Sequence, residues 1–110
     1  MFAFETTKLP EGILRVDRDG GILIACDFLQ NWSEPDEFFA HDTRRVMQDM
    51  GFFQPANLGP VWMQVNEPGA DDFVRLNQLA YRHLLSAHGV PLRDHARESF
   101  AATFQRAFAV

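Results

Sequence analysis

One cysteine, Cys26, stands in the whole chain, so no intramolecular disulfide can form. That favours a reducing compartment. No apolar run approaches the ~20 residues that a helix needs to cross a bilayer. The opening residues 1–5 have neither the basic region nor the apolar core of a secretory signal. The expected location is cytoplasmic, with no membrane partner. Metal motifs are missing too. There is no pair of cysteines and no H-E-x-x-H, and His83 and His88 are five apart, which does not align ligands on one helical face. Zinc is not expected. Gly20-Gly21 runs into a strand pattern and not into a helix, so no helix N-terminus follows to hold a phosphate. Ser33, Ser86 and Ser99 lack the flanking glycines of a nucleophile elbow. Cys26 falls in the most apolar strand pattern, where a thiol loses reactivity. No catalytic residue, cofactor or metal is assigned.

What the chain does have is apolar material and acid. Its 110 residues suit one domain, and 46% of them are hydrophobic, with 11 phenylalanines. The net charge of -5 is unevenly placed. Between residues 17 and 42, Asp17, Asp19, Asp27, Glu34, Asp36, Glu37 and Asp42 face Arg18 alone. Such a field disfavours nucleic acid and steers a basic partner. Local causes explain part of it. Asp17 and Asp19 suit a turn, and Glu34, Asp36 and Glu37 suit a helix N-terminus.

A β-hairpin is the clearest local pattern. Residues 13–17, which alternate imperfectly, and residues 22–26, a continuous apolar run, flank Arg18-Asp19-Gly20-Gly21. Asp-Gly supplies the positive φ angles that a tight turn needs. Residues 2–6 suit a short extra strand. A calcium loop at Asp17-Arg18-Asp19-Gly20 is excluded, because its later ligand positions are missing. The stretch Leu9-Pro10-Glu11-Gly12-Ile13-Leu14-Arg15-Val16-Asp17-Arg18-Asp19-Gly20-Gly21-Ile22-Leu23 resembles the opening of a PAS sensory domain: a strand, a D-x-x-G turn and a second strand. Cys26 stands where that family often has Asn, and the family's later three-stranded half has no counterpart pattern in this chain. The resemblance implies a small-molecule sensory function.

Downstream, Ser33 as N-cap and Pro35 in the first turn start a helix that should stop at Gly51. Its inward face would be Phe39, Val46, Met47 and Met50. Phe38 falls on the other side, near Asp42, Arg45 and Asp49, as a packing staple or a surface anchor. Residues 61–66 alternate like a strand, with Trp62 on the polar side. Residues 71–88 read as one helix, opened by aspartates and closed by Gly89 and Pro91. Its apolar arc covers roughly 240°, which marks it as the central helix. A last helix over 92–109 presents Phe100, Phe104 and Phe108 on one face. The short break between the two predicts an antiparallel helical hairpin.

The expected fold is therefore a single α+β domain: a small, mainly antiparallel sheet of the hairpin plus one or two strands, covered by three helices, the last two as a helical hairpin. The expected function is a small acidic, non-enzymatic module that binds another protein, with an immunity- or antitoxin-type inhibitor of a basic partner as one form. Self-association is the other form of partner. Phe38, Glu34, Glu37 and Asp42 make the expected partner-facing patch. Asn77 and His83, two polar residues within the apolar arc of 71–88, are a candidate pocket or a pair of core hydrogen bonds. The alternative function is a sensory domain with a PAS-like hairpin. A third is a small homodimeric enzyme.

Overall fold

The computed structural model describes residues 1–33 and 40–110. The hairpin forms where the sequence puts it. Strands β2 (Gly12–Val16) and β3 (Ile22–Ala25) pair antiparallel, with Leu14 opposite Ile24 and Val16 opposite Ile22. The turn between them has positive φ at Asp19, Gly20 and Gly21. Gly21 is the tightest point, because a Cβ there would lie 2.5 Å from the Ala80 carbonyl oxygen. Strand β1 (Phe2–Ala3) adds antiparallel to β2.

The fourth strand of this sheet corrects the sequence reading. Residues 71–88 are not one helix. Helix α3 (Ala70–Asn77) ends early, and strand β6 (His83–Ser86) lies parallel to β3, giving the order β1-β2-β3-β6. The backbone N–H groups of Arg82 and His83 both donate to the Gly21 carbonyl, which carries the chain from α3 onto the free edge of β3. The sheet is mixed and not all antiparallel. An apolar arc of 240° is better explained by two elements than by one helix. Leu84 is buried and Leu85 exposed, the period-two pattern of a strand. The helical hairpin is likewise not formed, since β6 and the loop after it separate the last two helices. Those helices still touch. Phe73 of α3 lies 5.0 Å from Phe104 and stacks at 4.3 Å on Phe108, both on α4 (Ala96–Phe108). Helix α4 starts four residues later than expected. Leu92 is taken instead by Leu84, each N–H donating to the other's carbonyl at 2.8 and 3.0 Å.

Three further expectations change. Residues 61–66 form a helix, α2 (Pro60–Asn66), and not a strand. Pro60 occupies the first turn, where its missing N–H costs nothing. Trp62 and Asn66, one turn apart, make its buried side. Helix α1 (His41–Asp49) meets its stop at Gly51, where φ is positive, but none of its residues is buried. Val46 and Met50 are exposed and not inward-facing, and Phe39 lies outside the described residues. Cys26 is exposed, because β3 ends one residue before it. A second ladder pairs β4 (Leu29–Gln30) with β5 (Asn57–Leu58). No three-stranded second half of the PAS kind appears among the described residues.

The core is aromatic. Phe4, Phe28 and Trp62 meet at centroid distances of 4.7 to 5.4 Å, and Phe4 also touches Phe73. A buried carboxylate ties α3 to the segment that follows β1. Asp72 accepts hydrogen bonds from the Glu5 and Thr6 backbone N–H groups, from the Thr6 hydroxyl and from Arg75. Burial alone would push its pKa up. The bonds from Thr6, from the backbone and from Arg75 outweigh that, and hold it below the usual carboxylate range.

Candidate functional site

Two features of the surface stand out. The first is the outer side of the four-stranded sheet. Side chains alternate across a sheet, so the register assigns each residue a face. Leu14 pairs with Ile24 and Ile24 with Leu85, a row of three aliphatics across adjacent strands. Val16, Ile22 and His83 form the next row. Their inward neighbours Ile13, Leu23 and Leu84 are no more than 1% exposed. The outward row is open: Leu14 is 47%, Ile24 39% and Leu85 43% exposed. Helix α4 packs on the inward side, against β6. A depression of about 260 Å³ adjoins the outer face, between Ile22, His83, Leu85 and residues 91–93.

The second feature is a cavity of about 430 Å³ beyond the C-terminal ends of β3 and β6. Its walls come from the segment before β2 (Leu9, Pro10, Glu11), from α2, from Phe52, and from the ends of β3 and β6 (Asp27, His88). Gly59 lets α2 start close to Asp27: a Cβ there would lie 2.1 Å from the Asp27 carbonyl oxygen. Glu11 is fixed from two directions. Its Oε2 accepts the Trp62 indole N–H at 3.0 Å, and its Oε1 accepts the Gly12 N–H at 3.0 Å. Asn66 Oδ1 accepts the Leu9 N–H, and Gln30 donates to the Asp27 carbonyl while accepting from Trp32. His88 Nε2 lies 2.7 Å from Asp27 Oδ1, an exposed pair at the mouth.

The residues singled out from the sequence fall elsewhere. Phe38, Glu34 and Glu37 lie outside the described residues. Asp42 is exposed in the first turn of α1. His83 and Asn77 do not share a cavity. His83 borders the depression on the outer sheet face, and its Nδ1 accepts the Asp94 N–H at 3.0 Å. Asn77 ends α3 and lines neither space. Its backbone carbonyl accepts from Arg97, while its side-chain oxygen is buried without a hydrogen-bond partner among the described residues. The Tyr81 hydroxyl is in the same position, and burial pushes its pKa well above the phenol range.

Glu11, Trp62 and His88 were not singled out as one site from sequence, and no spacing could have found them. They sit on separate segments that only the tertiary fold brings together. The outer sheet row is hidden for a different reason: the apolar arc of residues 71–88 puts Leu85 on a helix. Among the described residues, no group of three or more His, Cys, Asp or Glu could hold a metal ion, and no helix is long and apolar enough to cross a membrane. No family model, curated protein or solved structure matches the chain.

Proposed function

We propose that the protein is a small, non-enzymatic binding module that docks another protein on the outer face of its sheet. The observation that carries this is the exposed row Leu14, Ile24 and Leu85. Contiguous apolar surface on a folded domain marks interaction sites far more than scattered apolar residues do. The partner is basic at its rim. Asp17 and Asp19 stand at the turn end of the hairpin, and the whole chain carries -5. Rim charges of this kind set association rate and salt dependence more than affinity. An immunity- or antitoxin-type inhibitor of a basic protein is one form of such a module, and a second copy of the chain is the other candidate partner. A cytoplasmic location accords with the lone Cys26 being free and exposed.

Ile24→Lys tests the reading, because it places a charge in the centre of the row without touching the core. Wild type should either self-associate in sedimentation or retain a basic protein from its native lysate that salt releases. Ile24→Lys should abolish whichever is seen while leaving the melting temperature within a few degrees. A monomeric wild type whose captured proteins are the same as those of the variant would contradict the reading.

A second reading, a small-molecule sensory domain, is supported by the 430 Å³ cavity, a size that suits a small ligand.

A further inference from the structure

The cavity has a chemistry of its own. Two carboxylates, Glu11 and Asp27, line it, Asp27 bonded through one oxygen to His88, and neither Lys nor Arg does. Among the described residues Glu11 forms no ion pair, and the one lysine nearby in sequence, Lys8, is held by Glu67 at 2.8 Å. Each carboxylate oxygen of Glu11 accepts one hydrogen bond from a neutral donor, and each has a further lone pair to offer. Those two bonds also fix the carboxylate in place before any ligand arrives, so a ligand need not pay to order it. Trp62 and Phe52 add aromatic surface, and Leu9, Pro10, Val61 and Val65 add aliphatic surface. Val61 and Val65, one turn apart on α2, are both 46% exposed.

We propose that this cavity binds an alkyl cation: a guanidinium or primary ammonium carried on a short aliphatic stem. The carboxylate of Glu11 takes the charged head in a charge-assisted hydrogen bond, with Asp27 as the second acid at the mouth. The Trp62 indole, whose N–H edge meets Glu11, holds that carboxylate in place for the head. The valines and Leu9 cover the stem. The alternatives fit worse. An anion meets two acids, with His88 already taken up by Asp27 and no lysine or arginine in the lining. A wholly apolar ligand would strip water from Glu11 and give nothing back. The cation has two sources, a free small amine or guanidine and the side chain of an arginine or lysine in a protein, and both present the same group.

The two tryptophan indoles provide an internal test. Trp62 Nε1–H is bonded to Glu11 and reports on the acid end of the cavity, and Trp32 Nε1–H, bonded to the lining residue Gln30, is a second reporter. Butylguanidine is titrated into the isotope-labelled full chain and the indole resonances are followed. Butylurea, its uncharged isostere, is the control. Butylguanidine should shift the Trp62 indole in a saturable way, and butylurea should not. Glu11→Gln keeps an acceptor for Trp62 but removes the charge, and should weaken binding about tenfold. Asp27→Asn is exposed and serves if Glu11→Gln folds poorly; it should weaken binding less. Nα-acetyl-arginine amide separates the sources: binding equal to butylguanidine assigns the site to a side chain, and binding of butylguanidine alone assigns it to a free ligand. Equal shifts with butylurea, no shift at Trp62, or unchanged affinity in both variants would overturn the proposal. The result does not depend on the sheet-face reading, because Leu14, Ile24 and Leu85 do not line the cavity.

Discussion

The two faces of one sheet carry almost the same residue types and meet opposite fates. Ile13, Leu23 and Leu84 point inward and are buried, while Leu14, Ile24 and Leu85 point outward and are open. The residues alternate along the same three strands, so intrinsic strand preference cannot separate them. What separates them is cover. The aromatic core and the helices lie on one side. On the other side Leu14, Ile24 and Leu85 stay exposed, with residues 91–93 bordering one edge. Hydrophobic stabilisation scales with area removed from water, so the inner row holds the fold and the outer row contributes less to it.

That contrast can be broken by mutation, beginning with the inner row. Leu23→Ala should cost about 2–5 kcal/mol in denaturant unfolding, as for other fully buried leucines. A cost below about 1 kcal/mol would mean that the inner face is not packed as described.

The cover itself depends on Asp72, which ties α3 to residues 5 and 6. Asp72→Ala removes the acceptor for two backbone N–H groups and should cost at least about 2 kcal/mol. Its pH dependence has a definite sign. The folded-state pKa is lowered, so the contribution is present above the unfolded carboxylate pKa and is lost as pH falls through the folded one. Wild type should therefore lose stability on acidification below about pH 4 more steeply than Asp72→Asn does. Parallel stability profiles would remove Asp72 from this role.

The turn that sets the register comes next. Gly21→Ala forces a Cβ against the Ala80 carbonyl at a φ of +100° and should cost about 1–3 kcal/mol. A neutral result would mean that the turn relaxes freely, and the alternation between faces would then be less securely fixed. The smallest effect belongs to the outer row. Ile24→Ala should change the stability of the dilute protein by less than about 1 kcal/mol. A loss as large as that of Leu23→Ala would show that the outer face is covered.

Much of this was readable from the residues, for identifiable reasons. The hairpin carried its own turn chemistry in Asp19 and Gly20, and the alignment of Phe100, Phe104 and α4 followed from helical spacing. Gly51 stopped α1 as expected. The failures share one cause: local pattern gave way to tertiary pairing. Residues 83–86 lacked a breaker before them, yet the free edge of β3 drew them into a strand. Residues 61–66 alternate like a strand, but Trp62 and Asn66 also repeat at one helical turn, and the buried contact with Phe4 and Phe28 favours that phase. Cys26 was placed inside a strand that ends one residue earlier. The acid-lined cavity was out of reach, since Glu11 and Trp62 are 51 residues apart.

The most direct measurement sets two neighbours on β6 against each other. Leu84 is fully buried and Leu85 is 43% exposed, and strand alternation sends the two identical side chains to opposite faces. Denaturant unfolding of Leu84→Ala and Leu85→Ala, at protein concentrations low enough to exclude association, should give a loss of about 2–5 kcal/mol for the first and under about 1 kcal/mol for the second. Equal losses, or a larger one at Leu85, would contradict a sheet with one covered face and one open face.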